Sequence, residues 1–335
     1  MIVGVPRESV PGERRVALVP ELIGKLIKGG LEVLVQAGAG AAAGFLDSAY
    51  AEAAARLEPD VLAQADILLK VQPPTDEEIG RVREGAILIG LLQPYANAAA
   101  IKALTARRVT AFSMELMPRI TRAQSMDALS AMSTISGYKA VLIAAGHLPK
   151  FFPLLMTAAG TMTPARVFVI GAGVAGLQAV GTAKRLGAVV EAYDTRPVVK
   201  EQVESLGARF VELGLETKDA EAKTGYAKAQ SEEFYDKQRQ MMLKYVTAAD
   251  VVIPTALVPG KRAPVLITEE MVQGMRAGSV IVDLAAEQGG NCALTEPGQE
   301  VVRHGVLIIG PTNLPSTLPF HARVSVRFLP KDSWG

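Results

Sequence analysis

The sequence predicts an α/β protein of two doubly wound domains with parallel sheets, separated by a cleft and joined by long helical linkers. Three observations predict it. Short runs of Val, Ile and Leu alternate with amphipathic stretches along most of the chain, the pattern of parallel strands covered by helices on both faces. The 335 residues fit two domains at roughly 100–200 residues each. The alternation breaks once, at an Ala/Ser/Met-rich helix around 125–146 and a Pro/Phe/Gly segment around 149–164, and restarts at Val167.

In the first half, Ile2–Val5, Leu31–Val35, Ile67–Val71, Ala86–Leu92 and Val109–Ser113 read as strands. Glu21–Lys28, Asp76–Arg83 and Asn97–Arg107 read as helices, with Thr75 and Asn97 as caps of the last two. In the second half, Val167–Ile170, Val189–Tyr193, Phe210–Val211, Val251–Pro254, Val280–Asp283 and Val306–Ile309 read as strands. Helices are expected at Val174–Leu186, Val198–Leu206, Ser231–Val246 and Glu269–Met275. The first domain is therefore 1–130, completed by a C-terminal segment 311–335 that crosses back to it, and the second is 131–310. Between Glu216 and Arg239, 11 of 24 residues are charged; the region reads as a solvated helix with its lead-in loop, or as a mobile loop over a site.

Composition excludes several classes. Lys plus Arg number 35 against 34 Asp plus Glu, a net charge of +1, so no unpaired basic surface points to nucleic acid. One cysteine, Cys292, forms neither a disulfide framework nor a thiolate metal cluster, and fits a reducing cytosol. His147, His304 and His321 are scattered and read as structural, so no metal site is expected. Mean hydropathy is +0.24, yet the longest apolar region, Ala140–Met162, is broken by His147, Pro149, Lys150 and Pro153. It reads as buried core, not a membrane span. The amino terminus reads directly as a strand and lacks the features of a signal peptide, so a cytosolic protein is expected.

The strongest motif is Gly171-Ala-Gly173-Val174-Ala175-Gly176, running from an apolar strand into a helix. Gly171 permits the tight turn, Gly173 lets backbone approach a pyrophosphate, and Gly176 lets helix and strand pack closely. The helix N-terminus offers N–H donors and the positive end of a dipole to the phosphates. Eighteen residues after Gly176, Asp194 ends the next strand, where a carboxylate accepts ribose hydroxyls and repels a 2′-phosphate. This is a Rossmann-like dinucleotide site favouring NAD(H) over NADP(H), with Thr195 and Arg196 beside it; Arg196 tempers that preference. A second glycine run, Gly38-Ala-Gly40-Ala-Ala-Ala-Gly44, has too long a final spacing and no acidic residue ending the strand after it. It reads as a close-packed turn, leaving one nucleotide site.

Gly4-Val-Pro-Arg-Glu8, Glu13–Pro20, Val169–Gln178 and Arg185–Asp194 resemble stretches shared by alanine dehydrogenases and nicotinamide nucleotide transhydrogenases. The resemblance covers nearly the whole chain. Pro118–Ser130 resembles the loop that holds the nicotinamide in the NAD(H)-binding component of proton-translocating transhydrogenase, and Lys223-Thr-Gly-Tyr226 resembles its mobile loop. Phe151–Thr161 and Tyr193-Asp-Thr-Arg-Pro197 resemble the same component. By that resemblance Arg119, Gln124, Asp127 and Ser130 position the nicotinamide and Tyr226 closes the site. The resemblance further implies a homodimer that works with an NADP(H)-binding component and membrane-spanning subunits, at the cytoplasmic side of the membrane.

Alanine dehydrogenases carry a Lys and a His for acid/base and substrate-binding work, and an Asp that completes the site. Here those places fall at Gln72, Gln93 and Glu287, while Arg15 is retained. Oxidation of an amino acid needs a proton acceptor tuned near neutral pH, and Gln cannot titrate. Hydride transfer between two nicotinamides needs no general base, so the substitutions favour transhydrogenation. The alternatives are an alanine-dehydrogenase-like enzyme and a non-catalytic NAD-binding regulatory protein. Pro11-Gly12 and the tail Phe320–Gly335 depart from the family pattern.

Overall fold

A computed structural model describes residues 1–118, 120–158, 160–214, 231–257 and 261–322. The chain divides into two units, Met1–Met132 with Pro315–Gly335, and Ser133–Leu314.

The first unit is built on six parallel strands: β1 (Ile2–Val5), β2 (Glu32–Gln36), β3 (Arg56–Glu58), β4 (Ile67–Leu69), β5 (Ile87–Gly90) and β6 (Thr110–Ser113). They lie in the order β3-β2-β1-β4-β5-β6. Val3 pairs with Val33 on one side and Ile67 on the other. Helices α1 (Pro20–Lys28), α2 (Asp47–Glu52), α3 (Asp76–Arg81) and α4 (Ala98–Ala106) connect them. Thr75 caps α3 in a reciprocal box: its Oγ1 accepts the Glu78 N–H, and its own N–H donates to Glu78 Oε2 at 2.8 Å. Asn97 does not cap α4 through its side chain; its Nδ2 donates instead to the Leu92 carbonyl at 3.2 Å. The described end of the chain is tied into this unit. Ser316 Oγ accepts the Arg14 N–H at 2.7 Å, and Phe320 stacks on Phe45 at 5.3 Å.

Helix α5 (Ala128–His147) bridges the division between the units. It starts three residues later than the composition suggests, because a 3₁₀ turn over Thr121–Met126 precedes it. Among the described residues it is the one helix long and apolar enough to cross a membrane, with a third of that stretch buried. Its Ala140, Val141 and Ala144 belong to the core of the second unit.

The second unit holds the hairpin β7 (Leu155–Thr157) and β8 (Gly160–Met162) and a seven-stranded sheet. Its strands are β9 (Arg166–Ile170), β10 (Val189–Tyr193), β11 (Arg209–Phe210), β12 (Val251–Pro254), β13 (Val280–Val282), β14 (Glu300–Arg303) and β15 (Val306–Ile309). The order is β11-β10-β9-β12-β13-β15-β14, all parallel except the edge strand β14. Helices α6 (Val174–Arg185), α7 (Lys200–Ser205), α8 (Glu232–Ala248) and α9 (Glu269–Gln273) complete the unit. The strand period of two sorts β9 between two cores. Val167 and Val169 pack with Val180 and Ala183, while Phe168 and Ile170 pack with Met242, Val246 and Met271. Each such buried side chain contributes roughly 1.5–3 kcal/mol.

Several elements depart from the sequence reading. The helix expected at Val198–Leu206 opens as a 3₁₀ turn, Pro197–Val199, before α7. The short strand expected at Phe210–Val211 is Arg209–Phe210. Strands β3, β7, β8 and β14 and helix α2 are additions, and β3 matters for the second glycine run: it ends on Glu58, so an acidic residue does close the strand after that run. That glycine loop nevertheless follows β2, one strand away from where the strand order reverses, so it is not placed as a nucleotide loop. Gly40 is needed there for packing, since a Cβ would stand 2.6 Å from the Tyr50 ring and 2.8 Å from the Phe45 carbonyl. Of the charged region 216–239, residues up to 230 lie outside the described residues; Ser231 caps α8, accepting the Phe234 N–H at 3.3 Å.

Candidate nucleotide site

In an open parallel sheet, the ligand crevice lies beyond the carboxyl ends of the strands where their order reverses. In the second unit that point falls between β9 and β12. The loops leaving β9, β10 and β12 carry Gly171–Gly176, Asp194–Arg196 and Thr255. The fold therefore gathers the glycine motif and the acidic residue at one edge of one sheet.

Gly171 adopts φ +97°, and its N–H donates to the Tyr193 carbonyl at 2.7 Å. A Cβ on Gly171 would stand 2.6 Å from Thr255 Oγ1, and one on Gly176 would stand 1.8 Å from the Gly171 carbonyl oxygen. Thr255 locks the turn from the far side of the crevice, its Oγ1 donating to that carbonyl at 3.0 Å. Gly173 is different. It is the N-cap of α6, and the nearest atom to a Cβ built on it is Arg196 Nη2, at 3.9 Å. So two glycines are required by the fold itself, while Gly173 leaves space open in front of the α6 N-terminus. Val174 and Ala175 form the first turn of that helix, whose N–H groups and dipole suit a phosphate. Gly137 of α5 lets the two helices meet there, since its Cβ would fall 2.0 Å from the Ala175 carbonyl oxygen. Neither Thr255 nor Gly137 stands out in the sequence. The signal for Gly137 is a glycine inside a long helix, a position that costs about 1 kcal/mol without a packing reason.

The Asp194 carboxylate is nearly buried, its side chain 6% exposed. Oδ1 accepts the Arg196 N–H at 2.8 Å and Arg196 Nε at 2.9 Å. Oδ2 accepts the Ala172 N–H at 2.7 Å and Arg196 Nη2 at 2.9 Å. Thr195, between them, lines a hollow of about 210 Å³ with Lys200, Val211 and Leu213. The glycine cradle, the helix end and the acid fit a dinucleotide, with one qualification: Arg196 already uses much of what Asp194 offers.

In the first unit, Asp127 and Ser130 come together at the start of α5. Asp127 Oδ1 accepts the Ser130 N–H at 2.9 Å and Oδ2 accepts its Oγ–H at 2.6 Å, the geometry of a helix cap. Gln124 is exposed, and its carbonyl accepts the Asp127 N–H at 3.3 Å. Arg119 and Tyr226 lie outside the described residues.

Sequence profiles of the alanine dehydrogenase/PNT N-terminal and C-terminal domains match residues 4–136 and 140–326. The chain is 51% identical to an NAD(P) transhydrogenase subunit alpha polypeptide of Rhodospirillum rubrum, covering 98% of this chain and 89% of that one. The chain belongs to the alanine dehydrogenase/PNT family. Identity to the alanine dehydrogenase of Bacillus subtilis is lower, 32% over 95% of this chain and 81% of that one. A solved transhydrogenase from Sinorhizobium meliloti superposes with a TM-score of 0.87 at 44% identity, covering 96% of this chain and 89% of that one.

The positions that separate the two branches of this family have distinct structural surroundings. Arg15 is buried and held by Glu13 through Nε at 2.8 Å and Nη2 at 2.6 Å, while its Nη1 contacts Met132 Sδ at 3.3 Å. Gln72 Nε2 donates to the same Glu13 carboxylate at 2.8 Å. The glutamine thus completes an internal network. Gln93 sits at φ +47°, its N–H donating to Glu115, and Glu287 Oε1 accepts the Asn313 N–H at 2.6 Å.

Burial pushes the Glu13 carboxyl upward, but the hydrogen bonds and charge of Arg15, with help from Gln72, outweigh it and hold the group at about 2. A carboxyl whose folded value lies below its unfolded value stabilises the fold above the unfolded value, near 4.5, and loses that contribution as pH falls towards 2. A shift of this size corresponds to roughly 3 kcal/mol. Glu13→Gln is therefore expected to lower urea stability by about that amount at pH 6, with the difference from the parent closing between pH 4.5 and 2. A difference independent of pH would show that the carboxylate charge carries no stability here.

Proposed function

We propose that this chain is the NAD(H)-binding component of a proton-translocating transhydrogenase. It presents the nicotinamide for direct hydride transfer to or from NADP(H) held on a partner subunit. The observation that carries this reading is the 51% identity across 98% of the chain to a transhydrogenase alpha subunit. Glutamines at 72 and 93 agree with it, since transfer between nicotinamides releases no proton at the reacting carbons. When bound, the dihydronicotinamide supplies the hydride. The chain's own residues bind and orient. Gly171, Gly173, Val174, Ala175 and Gly176 receive the pyrophosphate, and Asp194, Thr195 and Arg196 surround the adenosine ribose. Arg119, Gln124, Asp127 and Ser130 hold the nicotinamide, and Tyr226 closes over it.

Transfer requires the reacting carbons to come within about 3–3.5 Å, so the second nucleotide arrives on the partner, and the enzyme is active only with it. Proton movement is coupled in the complex by membrane-spanning subunits, which hold this chain at the cytoplasmic face of the membrane. The component works as a homodimer. The β7–β8 hairpin supports this: Met156 is 80% exposed and Leu154 is open beside it, apolar surface that a two-stranded ribbon cannot bury on itself.

The test mixes the chain with NADH, an NADP analogue and an NADP-binding transhydrogenase component, and separately with NADH, pyruvate and ammonia. Transfer in the first mixture alone is expected. Pyruvate reduction would establish the alanine-dehydrogenase-like reading, and activity in neither the regulatory one. Asp127→Asn sharpens the test. Asparagine caps a helix about as well as aspartate, so α5 keeps its start while the charge is lost. Transfer is expected to slow by roughly 10–100-fold, the worth of a charged hydrogen bond, with NADH affinity changed less than about threefold and stability unchanged. Equal losses in rate and affinity would make the loop a binding element only.

A further inference from the structure

A carboxylate has about four acceptor positions, and each of the Asp194 oxygens takes two hydrogen bonds. Three of the four donors belong to Arg196: its N–H, Nε and Nη2. The fourth is the Ala172 N–H inside the glycine turn. The pair is secluded, with side-chain exposures of 13% for Arg196 and 6% for Asp194. Ribose hydroxyls cannot be accepted by these oxygens while both the Nε and the Nη2 hydrogen bonds stand. The backbone donors from Ala172 and Arg196 need not move. The guanidinium alone stands in the way, and the same Nη2 is the group nearest the open space at Gly173.

We propose that Arg196 is the specificity-determining residue of the nucleotide site, acting as an internal ligand that competes with the ribose for Asp194 and shields its charge from a 2′-phosphate. This rests on the reading of the site as one for NAD(H). The competition has two consequences of opposite sign. Binding of NADH must break two charge-assisted bonds, which lowers its affinity below what the bare acid would give. A 2′-phosphate meets a neutralised pair instead of a lone carboxylate, so NADPH is rejected less strongly than Asp194 alone would reject it.

The experiment measures Kd for NADH and for NADPH, by calorimetry on the full chain, with Arg196→Leu and Arg196→Lys beside the parent. Arg196→Leu is expected to bind NADH about tenfold tighter and NADPH about tenfold weaker, raising selectivity about a hundredfold. Arg196→Lys keeps the charge but not the two-pronged geometry, so its selectivity should stay near that of the parent. Melting of the ligand-free variants checks that each folds, and the lysine variant keeps the comparison if the leucine one does not. Both nucleotides weakening together in Arg196→Leu, or neither changing, would overturn the proposal, as would a lysine variant whose selectivity rises steeply. A parent chain that binds no NADH would instead overturn the site reading on which this rests.

Discussion

Lys70→Met is expected to cost the first unit roughly 3–5 kcal/mol, the usual penalty for removing one partner from a buried charge cluster. Lys70 is 1% exposed, with Nζ 2.9 Å from Glu78 Oε1 and 3.4 Å from Glu8 Oε2. Methionine matches its length and apolar stem, so packing changes little and the effect reports charge. Without the ammonium, two carboxylates face each other inside the protein. Burial already pushes the Glu8 carboxyl up, against the charge of Lys70 and the N–H donors of Val71 and Gln72. Glu78 cannot turn away, because it also completes the α3 cap and accepts the Ser9 hydroxyl at 3.0 Å. Urea unfolding at neutral pH measures the loss, and adding Glu8→Gln and Glu78→Gln to the same chain should recover much of it. A loss below about 1 kcal/mol, the scale of a surface pair, would mean that water reaches the cluster.

That cluster also explains why only one of the two sheets offers a nucleotide loop. Both sheets reverse their order after the first strand. In the second unit the crevice is edged by glycines, whereas in the first Glu8 lies across it, its carboxylate accepting the N–H groups of Val71 at 2.6 Å and Gln72 at 3.2 Å beyond β4. An internal anion sits where a ligand phosphate would have to come. Charge, rather than topology, separates the two halves.

The strands legible in the sequence are those buried on both faces. Val189–Tyr193, Val251–Pro254 and Val306–Ile309 are continuous apolar runs, and their bounds coincide with β10, β12 and β15. The strands that escaped are edge or ribbon strands. In β3, Arg56 and Leu57 face solvent and an Arg56–Glu58 contact replaces hydrophobic patterning. In β14, Val302 is 61% exposed, and β7–β8 pairs methionines and threonines with no buried face. Such segments form because a neighbouring backbone offers hydrogen bonds, and composition does not record that. The site divides in the same way. The three glycines are readable because backbone geometry demands them at fixed spacing. The grip of Arg196 on Asp194 is not readable, because it depends on a rotamer and on the Ala172 N–H across the turn. Asp127 lies between these cases: three residues before Ser130 at the head of a helix is cap spacing, and the resemblance drew attention to its chemistry instead.

The glycine motif can be separated experimentally into fold and function. Gly176→Ala is expected to destabilise the second unit by at least the ~1–3 kcal/mol of ordinary overpacking, because the added Cβ meets the Gly171 carbonyl oxygen at 1.8 Å and its carbon at 2.8 Å. Neither is a side chain that can rotate away. Relief requires β9 and α6 to move apart, which breaks the Thr255–Gly171 hydrogen bond and shifts the α6 N-terminus. Affinity for NADH should then fall about a hundredfold or more, the size expected when several phosphate-directed N–H groups lose alignment. Gly173→Ala is the counterpart. Its Cβ has open space, 3.9 Å from Arg196 Nη2, and a φ of −75° that alanine accepts without strain. Its melting temperature should match the parent, and NADH affinity should fall because a methyl group then stands where the pyrophosphate approaches. Thermal unfolding and NADH titration of the two variants distinguish these roles. If Gly173→Ala binds NADH as well as the parent does, the pyrophosphate does not approach at residue 173, and the placement of the cofactor over the α6 N-terminus is wrong.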